Sequence, residues 1–141
     1  MSQSQNNNER LLGLDYGLSH TGVAICEGGI ASPIKIINSK NFNHLQSEIS
    51  ALIVKNKINK VVVGLPLSAT GYENDQSLIV RRFVNNLKKY VKIPIVYVNE
   101  YGSTQEFLSN GIVSSISRKK KKNNDAYSAS IILEYYLESL N

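Results

Sequence analysis

Apolar and polar positions change their period several times along this chain, and each change marks an element. Residues 10–15 (RLLGLD), 21–27 (TGVAICE) and 30–37 (IASPIKII) are short apolar runs that predict three strands, with Gly28-Gly29 as a hairpin turn between the last two. Pro33 has no N–H to donate, which places the third strand at a sheet edge. From 42 to 56, Phe42, Leu45, Ile49, Leu52 and Ile53 recur at helical spacing, the stripe of an amphipathic helix. KVVVG at 60–64 is a continuous β-branched run, the pattern of a strand covered on both faces. After the loop LPLSATGYEN, a helix is predicted over 75–91 with Ile79, Phe83, Leu87 and Tyr90 on its apolar face. PIVYV at 94–98 predicts a fifth strand. Ser103 and Glu106 make an S-x-x-E capping box that opens a short helix ending near Gly111. A polar, basic and mobile stretch is expected over 112–124. The last helix runs from Asp125 to Ser139, with Ala129, Ile132, Leu133, Tyr136 and Leu140 facing inward.

Three consecutive strands followed by alternating helix and strand imply an α/β fold with a mixed five-stranded sheet flanked by helices. The first three strands should form an antiparallel meander. The fourth and fifth arrive through helical crossovers, so they should run parallel to the first with right-handed connections. The C-terminal ends of strands one, four and five then share one edge, where open α/β sheets bind ligands.

Composition narrows the class. The chain has 141 residues, 42% hydrophobic and 19% charged, which suits one globular domain over 10–141. The opening MSQSQNNNER has no apolar core and reads as a short disordered tail over 1–9 rather than a signal peptide. No run approaches the roughly 18 apolar residues of a membrane span. The single Cys26, inside GVAIC, excludes an intramolecular disulfide and fits a buried residue in a reducing compartment. Net charge is +5, and Arg118, Lys119, Lys120, Lys121 and Lys122 supply all of the excess; the other eleven basic residues equal the eleven acidic ones. Such a block attracts polyanions with an affinity that falls steeply as salt rises.

The strand ends carry the candidate chemistry. Strand one ends at Asp15, strand four at Gly64-Leu65-Pro66, and strand five at Asn99-Glu100. Asp15 and Glu100 are therefore expected to end neighbouring strands at one edge, and Asp125 opens the last helix where it would complete the cluster. Carboxylates grouped in this way suit hard divalent cations. Two such ions would activate a water and stabilise the leaving oxygen in an in-line phosphoryl displacement.

Four motifs, in order, make the chain similar to a known family. Asp15 to Ala24 reads DYGLSHTGVA, beside a family pattern of D-Y-G-x-K-R-x-G-V-A. Gly64-Leu65-Pro66-Leu67 with Gly71 matches G-L-P-L and a following G. Asn99-Glu100-Tyr101-Gly102-Ser103-Thr104 is similar to D-E-R-x-[ST]-T, and Asp125 to Leu137 (DAYSASIILEYYL) to D-x-x-A-A-x-x-I-L-x-x-Y-L. On these residues the chain resembles, over about 10–139, the YqgF/RuvX family of pre-16S rRNA nucleases and Holliday-junction resolvases, a branch of the ribonuclease H-like superfamily. The resemblance implies a ribonuclease H-like fold and an acidic triad of Asp15, Glu100 and Asp125 serving as both catalytic and metal-binding residues. It also implies Mg²⁺ or Mn²⁺ as cofactor and cytoplasmic processing of the 5′ end of pre-16S rRNA.

The chain departs from the family where charge is concerned. Ser19-His20 stands where lysine and arginine are usual, Asn99 replaces an aspartate, Tyr101 an arginine, and Ser128 an alanine. A tyrosine cannot make arginine's bidentate phosphate contact. Candidate nucleic-acid contacts are thus His20 and the Arg118–Lys122 run. Three alternatives follow: a resolvase of branched DNA, a catalytically weak nucleic-acid-binding or ribosome-assembly factor, and an actin-like phosphotransferase. The last closes two domains over a nucleotide, and this chain is read as one.

Overall fold

Leu11, Leu12 and Leu14 are all fully buried, so the first strand must be covered on both faces. The computed structural model describes residues 9–100 and 124–140 and shows how this is done. Strands β1 (Leu11–Asp15), β2 (His20–Glu27), β3 (Ile30–Asn38), β4 (Lys60–Leu65) and β5 (Ile95–Asn99) form one sheet in the order β3-β2-β1-β4-β5. β1/β2 and β2/β3 are antiparallel, and β1/β4 and β4/β5 are parallel, as the order of elements implies. Pro33 lies on the edge strand β3 opposite Ala24, and Ile34 is the extra residue of a bulge there.

Helices α1 (Phe42–Lys55) and α2 (Asp75–Leu87) cover one face, and α3 (Asn124–Ser139) covers the other. On the first face Leu12, Leu14, Val61 and Val63 meet Leu45, Ile49, Phe83 and Leu87. On the second, Leu11, Ala24, Cys26 and Val62 meet Ala129, Ile132, Leu133 and Tyr136. Side chains alternate along a strand, so odd positions of β1 and even positions of β4 face α3. The fit under α3 is close. A Cβ on Gly13 would lie 2.6 Å from Leu133 Cγ and 2.8 Å from the Ala129 carbonyl oxygen. Lower down, Lys60 at the start of β4 donates to the Tyr136 hydroxyl at 2.7 Å. α3 therefore runs antiparallel to β1 and β4, with its N-terminus at their C-terminal edge.

Some sequence expectations shift. The second helix stops at Leu87, not 91, because Lys89 and Tyr90 N–H groups reach Asn86 and Leu87 carbonyls in tight turns. Its buried stripe is Val80, Phe83, Val84 and Leu87, so Ile79 is only half-buried on the flank. Tyr90 is half-exposed, with its ring tilted against Phe42. The helix opens with a capping box of Asn74 and Ser77, which departs from the usual S-x-x-E pattern because the N3 residue is serine. Leu140 is exposed rather than inward: α3 ends at Ser139, and the Leu140 N–H closes a tight turn onto the Leu137 carbonyl. Glu9, assigned to the tail, pairs with Lys60 at 3.1 Å. The rest of the tail, the helix from Ser103 to Gly111, Tyr101 and the Arg118–Lys122 run lie outside the described residues.

Candidate active site

The parallel ladder fixes the height of every residue at the C-terminal edge. Leu14 is level with Val63, so Asp15 is level with Gly64; Gly64 in turn pairs with Val98 and Leu65 with Asn99. The Glu100 N–H donates to the Leu65 carbonyl at 2.9 Å, which carries the β4–β5 ladder one residue further. Alternation then sends Asp15, Gly64 and Glu100 to the same side of the sheet, the side under α3.

Asp15 and Glu100 do not end neighbouring strands, contrary to expectation, because β4 stands between β1 and β5. What lies between the carboxylates is Gly64, and its lack of a side chain is what makes room. A Cβ there would come 2.5 Å from Ile132 Cδ1 and 2.8 Å from Glu100 Cδ. The Glu100 carboxyl thus occupies the hollow above Gly64, roofed by Ile132 of α3. Burial pushes its pKa above the usual carboxylate range. Asp15 is half-buried at the rim. The next residue, Tyr16, turns to the opposite face and stacks on Phe83 with ring centroids 4.1 Å apart, which fixes the chain as it leaves β1.

Asp125 lies in the first turn of α3, in one row with Ala129 and Leu133 at four-residue intervals. Ala129 to Asp125 is about 6 Å along a helix axis, and Gly13 to Asp15 is about 6.6 Å along a strand. Since Ala129 lies over Gly13, the Asp125 backbone stands at the height of Asp15. His20 is exposed as the first residue of β2, on the same edge, because Asp15 pairs with Gly22. The edge therefore gathers Asp15, Glu100, His20 and the helix turn that bears Asp125. Gly64, in sequence terms only the end of a strand, is what separates the two carboxylates. Its signal is a glycine closing a β-branched run.

This arrangement can be set beside known proteins. The family model described as "RuvX: Holliday junction resolvase" matches residues 9–139. The chain belongs to the RuvX family. Among curated relatives, a protein of Sulfurihydrogenibium sp. named "Putative pre-16S rRNA nuclease" is 36% identical over 136 residues, covering 94% of this chain and 92% of the relative. One of the same name from Rickettsia canadensis is also 36% identical, covering 94% and 88%. Two solved structures share the fold at low identity. The T. thermophilus RuvC in complex with Holliday junction substrate has a TM-score of 0.59 at 12% identity, covering 93% of this chain and 96% of that one. The Fowlpox virus resolvase with its Holliday junction DNA has a TM-score of 0.54 at 14% identity, covering 93% and 98%. The RuvX chain has the ribonuclease H-like sheet that the motifs implied, and its family is one of nucleases acting on phosphodiester bonds. Among the described residues, no helix is long and apolar enough to cross a membrane.

Proposed function

We propose that this RuvX protein hydrolyses phosphodiester bonds of nucleic acid at the C-terminal edge of β1, β4 and β5, with Asp15, Glu100 and Asp125 as the working carboxylates. The observation that carries the proposal is the hollow over Gly64, where a half-buried Glu100 carboxyl and Asp15 share one face beneath the helix turn of Asp125. The donor set fits a hard divalent cation, Mg²⁺ or Mn²⁺: it is all oxygen, and the missing side chain of Gly64 lets the Glu100 carboxyl lie on the same face as Asp15. Such an ion, when bound, supplies activation of water and neutralisation of charge on the leaving oxygen. Asp15 and Glu100 would hold it from two strands of a rigid sheet and Asp125 from the helix. A buried carboxyl whose ionisation is disfavoured gains most from a cation placed beside it. His20, exposed on the same edge, and the Arg118–Lys122 run would supply phosphate contacts.

The substrate we propose is the 5′ end of pre-16S rRNA in the cytoplasm, on the strength of the curated relatives' shared name. A branched-DNA substrate is the second reading, favoured by the description of the matching family model. The test is cleavage of a short RNA spanning that 5′ end beside a four-way DNA junction, with Mg²⁺ or Mn²⁺ and with EDTA. Metal-dependent cutting of the RNA alone supports the first reading, cutting of the junction alone the second. Neither substrate being cut would contradict the nuclease reading for this chain.

A further inference from the structure

The loop between β4 and α2 leaves the sheet at Leu65, directly beyond the hollow, and holds an exposed aromatic ring. Tyr72 is 73% exposed, whereas the half-exposed Tyr90 rests against Phe42 with centroids 5.8 Å apart. The arm that carries Tyr72 is braced at each end and at its tip. At its base, the buried Ser77 hydroxyl donates to the Pro66 carbonyl. At the tip, Gly71 N–H donates to Ser68 O at 2.9 Å and Ser68 N–H to Tyr72 O at 2.8 Å. The Tyr72 N–H donates to Ser68 Oγ at 3.1 Å. On the return leg, Arg81 grips both Glu73 carboxylate oxygens at 2.7 Å and lies over the Tyr97 ring of β5 at 4.9 Å.

These bonds do two things. They hold Tyr72 beside Ser68, and Ser68, four residues past Gly64, is itself no more than about 14 Å from that glycine. That is roughly the length of four stacked nucleotides. They also neutralise Glu73, the one charged side chain of the loop, so a polyanion meets hydroxyls and a ring but no uncompensated negative charge. A rigid, exposed aromatic next to a phosphodiester site suits the face of an unpaired base, since every base offers a π-face and stacking needs no sequence match.

We infer that Tyr72 stacks on an unpaired base a few nucleotides from the bond that is cut, which makes the preferred substrate single-stranded at that point. This rests on the nuclease reading and adds to it a substrate class. The chain contains no tryptophan, so Tyr72→Trp in the full chain gives a fluorophore that reports this position alone. The variant is titrated, in EDTA so that nothing is cut, with an unstructured single-stranded RNA and with the same strand in a blunt duplex. Saturable quenching by the single strand and little by the duplex is expected. Tyr72→Ala should weaken single-strand binding by about 5- to 150-fold, the contribution of one stacked base. Tyr72→Phe, which keeps the ring, should bind like the wild type. Unquenched fluorescence at saturating single strand, or an alanine variant that binds as tightly as wild type, would overturn the inference. The nuclease reading fails separately: a chain that quenches but cuts neither the RNA nor the junction with metal contradicts that reading and leaves the stacking in place, while a chain that cuts with metal but binds no single-stranded RNA contradicts the stacking alone.

Discussion

The two faces of the sheet are built differently. Toward α1 and α2, sixteen buried apolar residues among those described form a thick core of leucine, isoleucine, valine and phenylalanine. Toward α3 there are eight, two of them alanines, and the helix comes down onto Gly13 and Gly64. On the proposed reading the first face is insulated from the chemistry, and the second ends in the carboxylates assigned to it. The difference teaches that stability and site geometry are separable in this fold. The large face supplies most of the apolar burial, and the small face sets how close α3 and its first turn come to Asp15 and Glu100.

The sharpest way to break this comparison is Gly64→Ala. The added methyl would meet Glu100 and Ile132, which must shift. Overpacking of this kind costs about 1–3 kcal/mol, a modest loss in a melting experiment. Cleavage, however, should fall by about 100-fold or more, because a displacement of the order of 1 Å at a catalytic group has that effect. A variant with reduced stability but wild-type turnover would show that the hollow is only packing.

A matched pair of truncations comes next. Leu87 and Leu133 are both fully buried, one against each face. Leu87→Ala and Leu133→Ala should each lose about 2–5 kcal/mol by denaturant unfolding. At a temperature where both remain folded, Leu87→Ala should keep its turnover, and Leu133→Ala should lose most of it as α3 settles differently. Equal turnover in the pair would erase the proposed division between faces.

The smallest expected effect is on pH dependence. Burial raises the Glu100 pKa above its ordinary 4.5, so the folded chain takes up this proton at a higher pH than the unfolded chain. Its contribution to metal-free stability is therefore present on the acid side of that window and is lost as pH rises through the folded value. Glu100→Gln removes the titrating group, so metal-free melting should lose this part of its pH dependence and the variant should be the more stable at neutral pH. Added Mn²⁺ should then stabilise the wild type more than the variant. A variant with the wild type's pH profile would mean that Glu100 does not titrate in the folded chain.

Much of the fold is legible in the residues themselves. Local patterns are enough for the five strands, because β-branched runs, the Gly28-Gly29 turn and Pro33 each act within a few residues. The three carboxylates stand at element ends, and topology alone brings Asp15 and Glu100 to one edge. What escapes local pattern depends on long-range register. That β4 separates the two carboxylates follows from strand order, and that Gly64 is level with Asp15 and beneath Glu100 follows from pairings between segments far apart in sequence. Leu140 departs from expectation because α3 ends one residue before it, so the helical phase no longer sets its direction. The stripe of α2 shifts toward Val80 and Val84 because those residues, with Phe83 and Leu87, are the ones that meet the sheet, a contact between segments far apart in sequence.

The most direct test of the central claim is single-turnover cleavage of a 5′ pre-16S RNA by wild type and by Asp15→Asn, across a Mn²⁺ titration, with melting measured on the same samples. Asp15→Asn keeps the size of the side chain and removes the charge. Cleavage should fall by at least about 100-fold, since the charge stabilisation at such a site is worth several kcal/mol. Melting without metal should stay unchanged, and the stabilisation that Mn²⁺ gives the wild type should shrink. An Asp15→Asn chain that cuts at the wild-type rate and is stabilised equally by Mn²⁺ would contradict the account.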